Sequence, residues 1–210
     1  MKIGIIGSGM IGGTLARLFH TAGHEVAISN SRAPESLKDL VQGLGPGVQA
    51  STPAEAARFG DIVVAAVPLK EYRKLPAAEM AGKVVVDAMN YYPDRDGQIP
   101  DLDSGAATSS EMVAAQLPRS RVVKAFNTIY FKHLGSQGDR SLPETDRRAI
   151  FIAGDDPRAK AEVAQIIEGI GFGAVDTGSL QDGGRKQQPG SAIYNKDITV
   201  REAHGVLGQD

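Results

Sequence analysis

MKIGIIGSGMIGGTLARLFHTAG, residues 1–23, holds the pattern from which the rest of the chain can be placed. Lys2 to Ile6 is a short branched-apolar run of the kind that forms a buried strand, and Gly9 to Ala22 carries Ile11, Leu15, Leu18 and Phe19 at helical spacing before Gly23 stops the helix. Gly7, Ser8, Gly9, Met10, Ile11 and Gly12 join the two as G-x-G-x-x-G. In that position the first glycine permits the tight turn, the second lets backbone approach a pyrophosphate, and the third lets helix and strand pack closely. The helix N-terminus then offers unpaired N–H groups and partial positive charge to the same anion.

Downstream, short apolar runs alternate with amphipathic ones, which predicts a parallel sheet covered on both faces. Strands are expected at His24–Ser29, Val48–Ser51, Ile62–Val67, Lys83–Ala88, Arg121–Phe126, Ala149–Ala153 and Gly173–Asp176. Helices are expected at Pro34–Leu44, Pro53–Phe59 and Pro157–Gly169, and from Thr108, three residues before Glu111 as in a capping box, to Pro118. Residues 130–147 read as a polar excursion, and 178–210 as a polar, glycine-rich C-terminal extension, a loop or docking tail. The expectation is one α/β domain over 1–210: a Rossmann-type, doubly wound, mainly parallel sheet with helices on both faces.

The identity of the dinucleotide turns on the end of the second strand, where an NAD enzyme places an acid for the ribose 2′-hydroxyl. Asn30, Ser31 and Arg32 stand there instead. A carboxylate would repel a 2′-phosphate, whereas hydroxyl and amide donors beside a guanidinium bind it, so NADP(H) is the expected coenzyme. Ligands of doubly wound sheets lie beyond the carboxyl ends of the strands. Ala66, Val67 and Pro68 end the fourth strand, Asn90 with Tyr91 and Tyr92 follows the fifth, and Ala125 and Asn127 sit at the end of the sixth. These loops are expected to line the nicotinamide, with Asn127 bonding its carboxamide or the substrate. No catalytic acid or base can be assigned. The four histidines lack metal-ligand spacing, and His133 alone falls near a strand-end loop.

Composition narrows the classes. A net charge of −2 supplies no field for nucleic acid or an anionic membrane, and the absence of cysteine excludes thiol chemistry and zinc–thiolate sites. There is no secretory pattern at residues 1–6 and no stretch of ~18 apolar residues, so a cytoplasmic protein acting on a small-molecule electron acceptor is expected.

MKIGIIGSGMIGGTLA, SNSR, AAVP, DAMNYYP, SSEMVAAQLPRSRVVKAFNT and FIAGDDPRAKAEV followed by GFGAVDTGSL make the chain resemble the NADPH-dependent coenzyme F420 reductases, and also the cytosolic reductase domain of the six-transmembrane ferric reductases. The resemblance covers nearly the whole chain. It implies hydride transfer between NADP(H) and a deazaflavin, coenzyme F420, stacked on the nicotinamide, often in a homodimer. Lys132, Arg185 and Lys186 are candidates to meet an anionic deazaflavin tail. Alternatives are reduction of a small imine or carbonyl or of another flavin-like acceptor, and a non-enzymatic NADP(H) sensor.

Overall fold

A computed structural model of the chain describes residues 1–208. The strands are β1 (Lys2–Ile6), β2 (Glu25–Ser29), β3 (Val48–Ser51), β4 (Ile62–Ala65), β5 (Val84–Asp87), β6 (Arg121–Ala125), β7 (Ala149–Gly154) and β8 (Gly173–Asp176). The helices are α1 (Met10–Thr21), α2 (Lys38–Leu44), α3 (Pro53–Phe59), α4 (Ala77–Met80), α5 (Pro93–Asp96), α6 (Pro100–Asp103), α7 (Ser109–Gln116), α8 (Phe131–Leu134), α9 (Pro157–Gly169), α10 (Asp182–Lys186) and α11 (Val200–Leu207). Among the described residues, no helix is long and apolar enough to cross a membrane.

The eight strands form one sheet in the order β3-β2-β1-β4-β5-β6-β7-β8, parallel throughout except where β7 runs antiparallel to β6. It is the Rossmann-like, doubly wound α/β architecture expected. β4 (IVVA) and β5 (VVVD) are buried at every position because both faces are covered, which is why they read as continuous apolar runs. Alternate residues feed two cores. Ile3, Ile5, Val64 and Val86 meet Leu15, Phe19, Val163 and Ile167 of α1 and α9. Val63, Ala65 and Val85 meet Ala57, Leu69, Met80 and Val113 on the other face.

Two expectations are corrected. The Pro34–Leu44 helix is a 3₁₀ turn over Pro34–Leu37 followed by α2, jointed at Leu37 (φ −100°, ψ 3°). The C-terminal extension is not a loop: α10 and α11 fold onto the sheet, and Ile193, Val200 and Ala203 pack on Ala149, Phe151 and Val175. α11 is amphipathic, with Val200 and Ala203 on its buried face, but a helix this short draws its stability from that contact.

Candidate functional site

The turn after β1 is shaped by glycine where glycine is needed. Gly7 has φ 111°, and a Cβ there would lie 2.2 Å from the Ala66 carbonyl oxygen. A Cβ on Gly12 would lie 1.9 Å from the Gly7 carbonyl oxygen, so only glycine lets α1 start this close to β1. Gly9 differs: it is exposed, with nothing within 4 Å of a Cβ position. As the N-cap of α1 it supplies no side-chain acceptor, whereas Thr52, Thr108, Asp156 and Thr199 cap α3, α7, α9 and α11. The first N–H groups of α1 thus face an open cradle.

A cavity of about 760 Å³ opens over this turn, lined by Ile6, Gly7, Ser8, Gly9, Asn30, Ser31, Arg32, Pro53, Ala66, Val67, Pro68, Glu71, Lys74 and Leu75. Its floor is tied by Gly7 N–H donating to Ser29 O (2.9 Å) and Ala66 N–H to Ile6 O (2.8 Å). Asn30 closes the loop after β2: its Oδ1 accepts from Arg32 N–H (2.8 Å) and its Nδ2 donates to Ser36 Oγ (3.0 Å). Asn30 therefore holds Arg32 in place with its own side chain already engaged, and Ser31 and Arg32 remain exposed. The lining's one carboxylate, Glu71, lies 2.6 Å from Lys74 Nζ.

A second cavity, about 390 Å³, contains Met10, Ile11, Ala88, Met89, Asn90, Tyr92, Arg95, Phe126, Asn127, Ile129, Tyr130, Phe131, Tyr194 and Asn195, and shares Gly9, Ala66, Val67 and Pro68 with the first. The two are halves of one groove over the carboxyl ends of β1, β4, β5 and β6. Ile129 and Phe131 give it an apolar wall, with Met10 and Tyr130 at its exposed rim.

Asn127 is 3% exposed. Its Nδ2 donates to Asn90 Oδ1 (3.1 Å) and Gln187 O (2.7 Å), which fixes the amide orientation and leaves Oδ1 buried without a partner. A buried acceptor without a donor costs about 1–3 kcal/mol, so Oδ1 is suited to receive one from a ligand. Asn127 follows Phe126, a non-glycine residue at φ 64°, and Asn195 on the opposite segment has φ 54°. Such left-handed backbone is costly outside glycine and collects where a site needs an unusual direction of chain.

Tyr92 and Tyr194 face each other through a short hydroxyl–hydroxyl hydrogen bond. Asn90 Nδ2 donates to Tyr194 Oη (3.4 Å), and the Arg95 guanidinium lies 4.9 Å from the Tyr92 ring centre. Burial, and secondarily the Tyr92 hydroxyl, push the Tyr194 phenol well above its ordinary value, so it stays protonated.

Beneath the strand-end loops lies an ion pair absent from the sequence reading. Lys124 of β6 and Asp87 of β5 are 1% and 0% exposed and 3.1 Å apart. Lys124 Nζ also donates to Met89 O (2.8 Å), while Asp87 accepts from Met89 N–H (2.9 Å) and Ser110 Oγ (2.7 Å). A buried pair this fully bonded resists the loss of either partner, and here it locks the Met89–Asn90 loop to β6 and α7.

The structure brings Gly7, Ser8, Gly9, Asn30, Ser31, Arg32, Ala66, Val67 and Pro68 to one cavity and Met10, Ile11, Asn90, Tyr92 and Asn127 to the other. Gly12 is buried against the Gly7 carbonyl and lines neither cavity. Ala125 is fully buried in β6 and lines neither cavity. Tyr91 turns away, its hydroxyl donating to Asp103 Oδ1 (2.7 Å) and accepting from Ile99 N–H (2.9 Å). His133 pairs with Asp197 (2.9 Å), and neither it nor Lys132, Arg185 or Lys186 lines either cavity. Sequence reading missed Lys74, Arg95, Tyr194 and Asn195. The Tyr-Asn pair in SAIYNKD was its only trace of the last two.

Residues 2–91 match the profile of the family described as NADP oxidoreductase, coenzyme F420-dependent. Among solved structures, a hypothetical protein from Sinorhizobium meliloti is 33% identical with a TM-score of 0.83, covering 95% of each chain. A protein assigned as an F420-dependent NADP reductase from Arthrobacter sp. FB24 is 26% identical with a TM-score of 0.74, over 95% of this chain and 99% of that one. The metalloreductase STEAP2 of Mus musculus is 26% identical over 184 residues, 86% of this chain. The chain spans about a third (34%) of the length of that curated relative.

Proposed function

We propose that this chain, an NADP-dependent oxidoreductase whose residues 2–91 match the coenzyme F420-dependent NADP oxidoreductase family, passes hydride between NADPH and a deazaflavin or similar planar ring. The carrying observation is that the two cavities share Gly9 and Ala66–Pro68, so one groove runs from the Arg32 loop to the Asn127 loop. Three features fit the nucleotide: the open cradle at Gly9, the exposed Ser31–Arg32 turn, and the orphaned Asn127 Oδ1.

In this proposal the α1 N–H groups hold the pyrophosphate, Ser31 and Arg32 the 2′-phosphate, and Asn127 Oδ1 accepts from the nicotinamide carboxamide. When bound, NADPH supplies the hydride. The protein's part is to orient two rings and exclude water, which matches a site without a general acid–base dyad. Ile129, Tyr130 and Phe131 present the surface a planar acceptor would stack on. Reduction of a small imine or carbonyl is the second reading, favoured by the Tyr92–Tyr194 hydroxyls at the acceptor end.

The test is absorbance of the purified protein mixed with NADPH and oxidised deazaflavin. Bleaching of the deazaflavin is expected. Failure with every flavin-like acceptor, alongside turnover of a cyclic imine, would transfer the site to the second reading.

A further inference from the structure

Resting on the reading of Asn127 as the nicotinamide contact, we infer that Asn90 is a positioning residue that acts through Asn127. Its side chain pins the Asn127 amide so that the groove offers an acceptor, which selects a coenzyme whose ring substituent carries an N–H donor. The sequence pointed to Asn90 as a cofactor contact in its own right. Its amide is instead engaged with Asn127: Nδ2 donates to Asn127 O (2.8 Å) and Oδ1 accepts from Asn127 Nδ2 (3.1 Å). The clasp joins the loop after β5 to the loop after β6, one residue past Phe126, whose left-handed backbone (φ 64°) turns the chain there.

A primary amide carries two N–H donors and one carbonyl acceptor. Asn127 Nδ2 donates to Asn90 Oδ1 and to Gln187 O, 2.7 Å away. Turning this amide over would set Oδ1 against two oxygens that bear no hydrogen. Turning Asn90 over as well would set its Oδ1 against the Asn127 carbonyl, so the pair has one arrangement, with Asn127 Oδ1 buried and unpartnered. The Gln187 bond alone is a pivot about which the amide plane can swing, and the Asn90 bond, in a second direction, fixes that plane. Asn90 is itself held. Arg95 Nη2 donates to its carbonyl (2.6 Å), and the preceding Met89 is bonded at N–H by Asp87 and at C=O by Lys124. Such support keeps a binding group within the narrow geometry its ligand needs. A carboxamide meets Oδ1 with its amino group, whereas a methyl ketone of the same size brings only a methyl group and leaves Oδ1 unpaired.

The test is calorimetric titration of three compounds into wild type, Asn90→Ala and Asn127→Ala: NADPH, its reduced 3-acetylpyridine analogue, and 2′-phospho-ADP-ribose, which lacks the ring. Wild type should bind NADPH about fivefold or more tighter than the acetyl analogue. In Asn90→Ala, as in Asn127→Ala, that preference should fall to within about twofold through weaker NADPH binding, with 2′-phospho-ADP-ribose within about twofold of wild type. General damage to the groove would weaken both dinucleotides alike and leave their ratio, so a preserved ratio in Asn90→Ala overturns the role of Asn90. Absence of the preference in wild type overturns the carboxamide contact of Asn127, and the inference with it. Asn90→Ser takes the place of Asn90→Ala should the latter fail to bind 2′-phospho-ADP-ribose. No acceptor enters the experiment, so its outcome is independent of which acceptor is reduced.

Discussion

At the rim of the larger cavity, Arg32 extends from a turn that the Asn30 side chain closes by accepting the Arg32 N–H at 2.8 Å. No carboxylate among the described residues pairs with its guanidinium, and the nearby Glu71 is held by Lys74. A charged group so placed adds roughly 1.5–3 kcal/mol to a phosphate contact and little to a hydroxyl. Arg32→Ala should therefore weaken NADPH binding about 10- to 100-fold while NADH binding stays within about threefold, as read by calorimetric titration of both. Equal losses would count against the 2′-phosphate contact. Arg32 was legible in the sequence because coenzyme choice is written at one position after β2. Tyr194 was not, since no spacing rule links residues 92 and 194, whose hydroxyls meet only through the fold.

Helix ends carry much of the acid sensitivity to be expected. Asp156 caps α9, and its carboxyl is held below the usual range chiefly by the Ala159 N–H. Glu55 and Glu202 complete capping boxes on α3 and α11, and the N–H groups of Thr52 and Thr199 depress them in the same way. Asp139 is lowered by the Ser141 hydroxyl. Each folded value lies below the ordinary one, 3.8 for Asp and 4.5 for Glu, so the unfolded chain binds more protons in this range. The stabilisation is complete above those values and is lost as pH falls through the depressed ones. Burial holds the His24 imidazole below its ordinary value of 6.5, so urea midpoints should decline gently as pH falls below about 6.5 and further below about 4.5, and Asp156→Asn should shallow the second decline. The cap of α7 could be seen in the sequence because a capping residue acts within three positions of its helix. The joint inside Pro34–Leu44 could not, because it depends on how Leu37 packs against the core.

At the scale of the molecule, the segment after β8 completes the site by returning across the sheet. Arg148, 7% exposed, fastens it, donating from Nη1 to Ile198 O (3.2 Å) and lying 3.3 Å from Asp197, while Asn195 N–H reaches Thr128 O (2.9 Å). Arg148→Met should raise amide exchange over residues 193–199 and lower turnover of the acceptor, leaving NADPH affinity within about twofold because the nucleotide half lies at the other end of the groove. A matched fall in both would show that the segment supports the whole sheet. What the chain determined by itself was local: the glycine turn, the alternation of strand and helix, the missing acid after β2, the caps. These are legible because turn geometry, periodicity and capping act over a few residues. The tertiary structure decided the antiparallel β7, the Lys124–Asp87 pair beneath the loops, and the docking of Tyr194 and Asn195 at the acceptor end. Those depend on burial and on contacts between residues far apart in the chain, whose free energy exists only once the sheet has assembled.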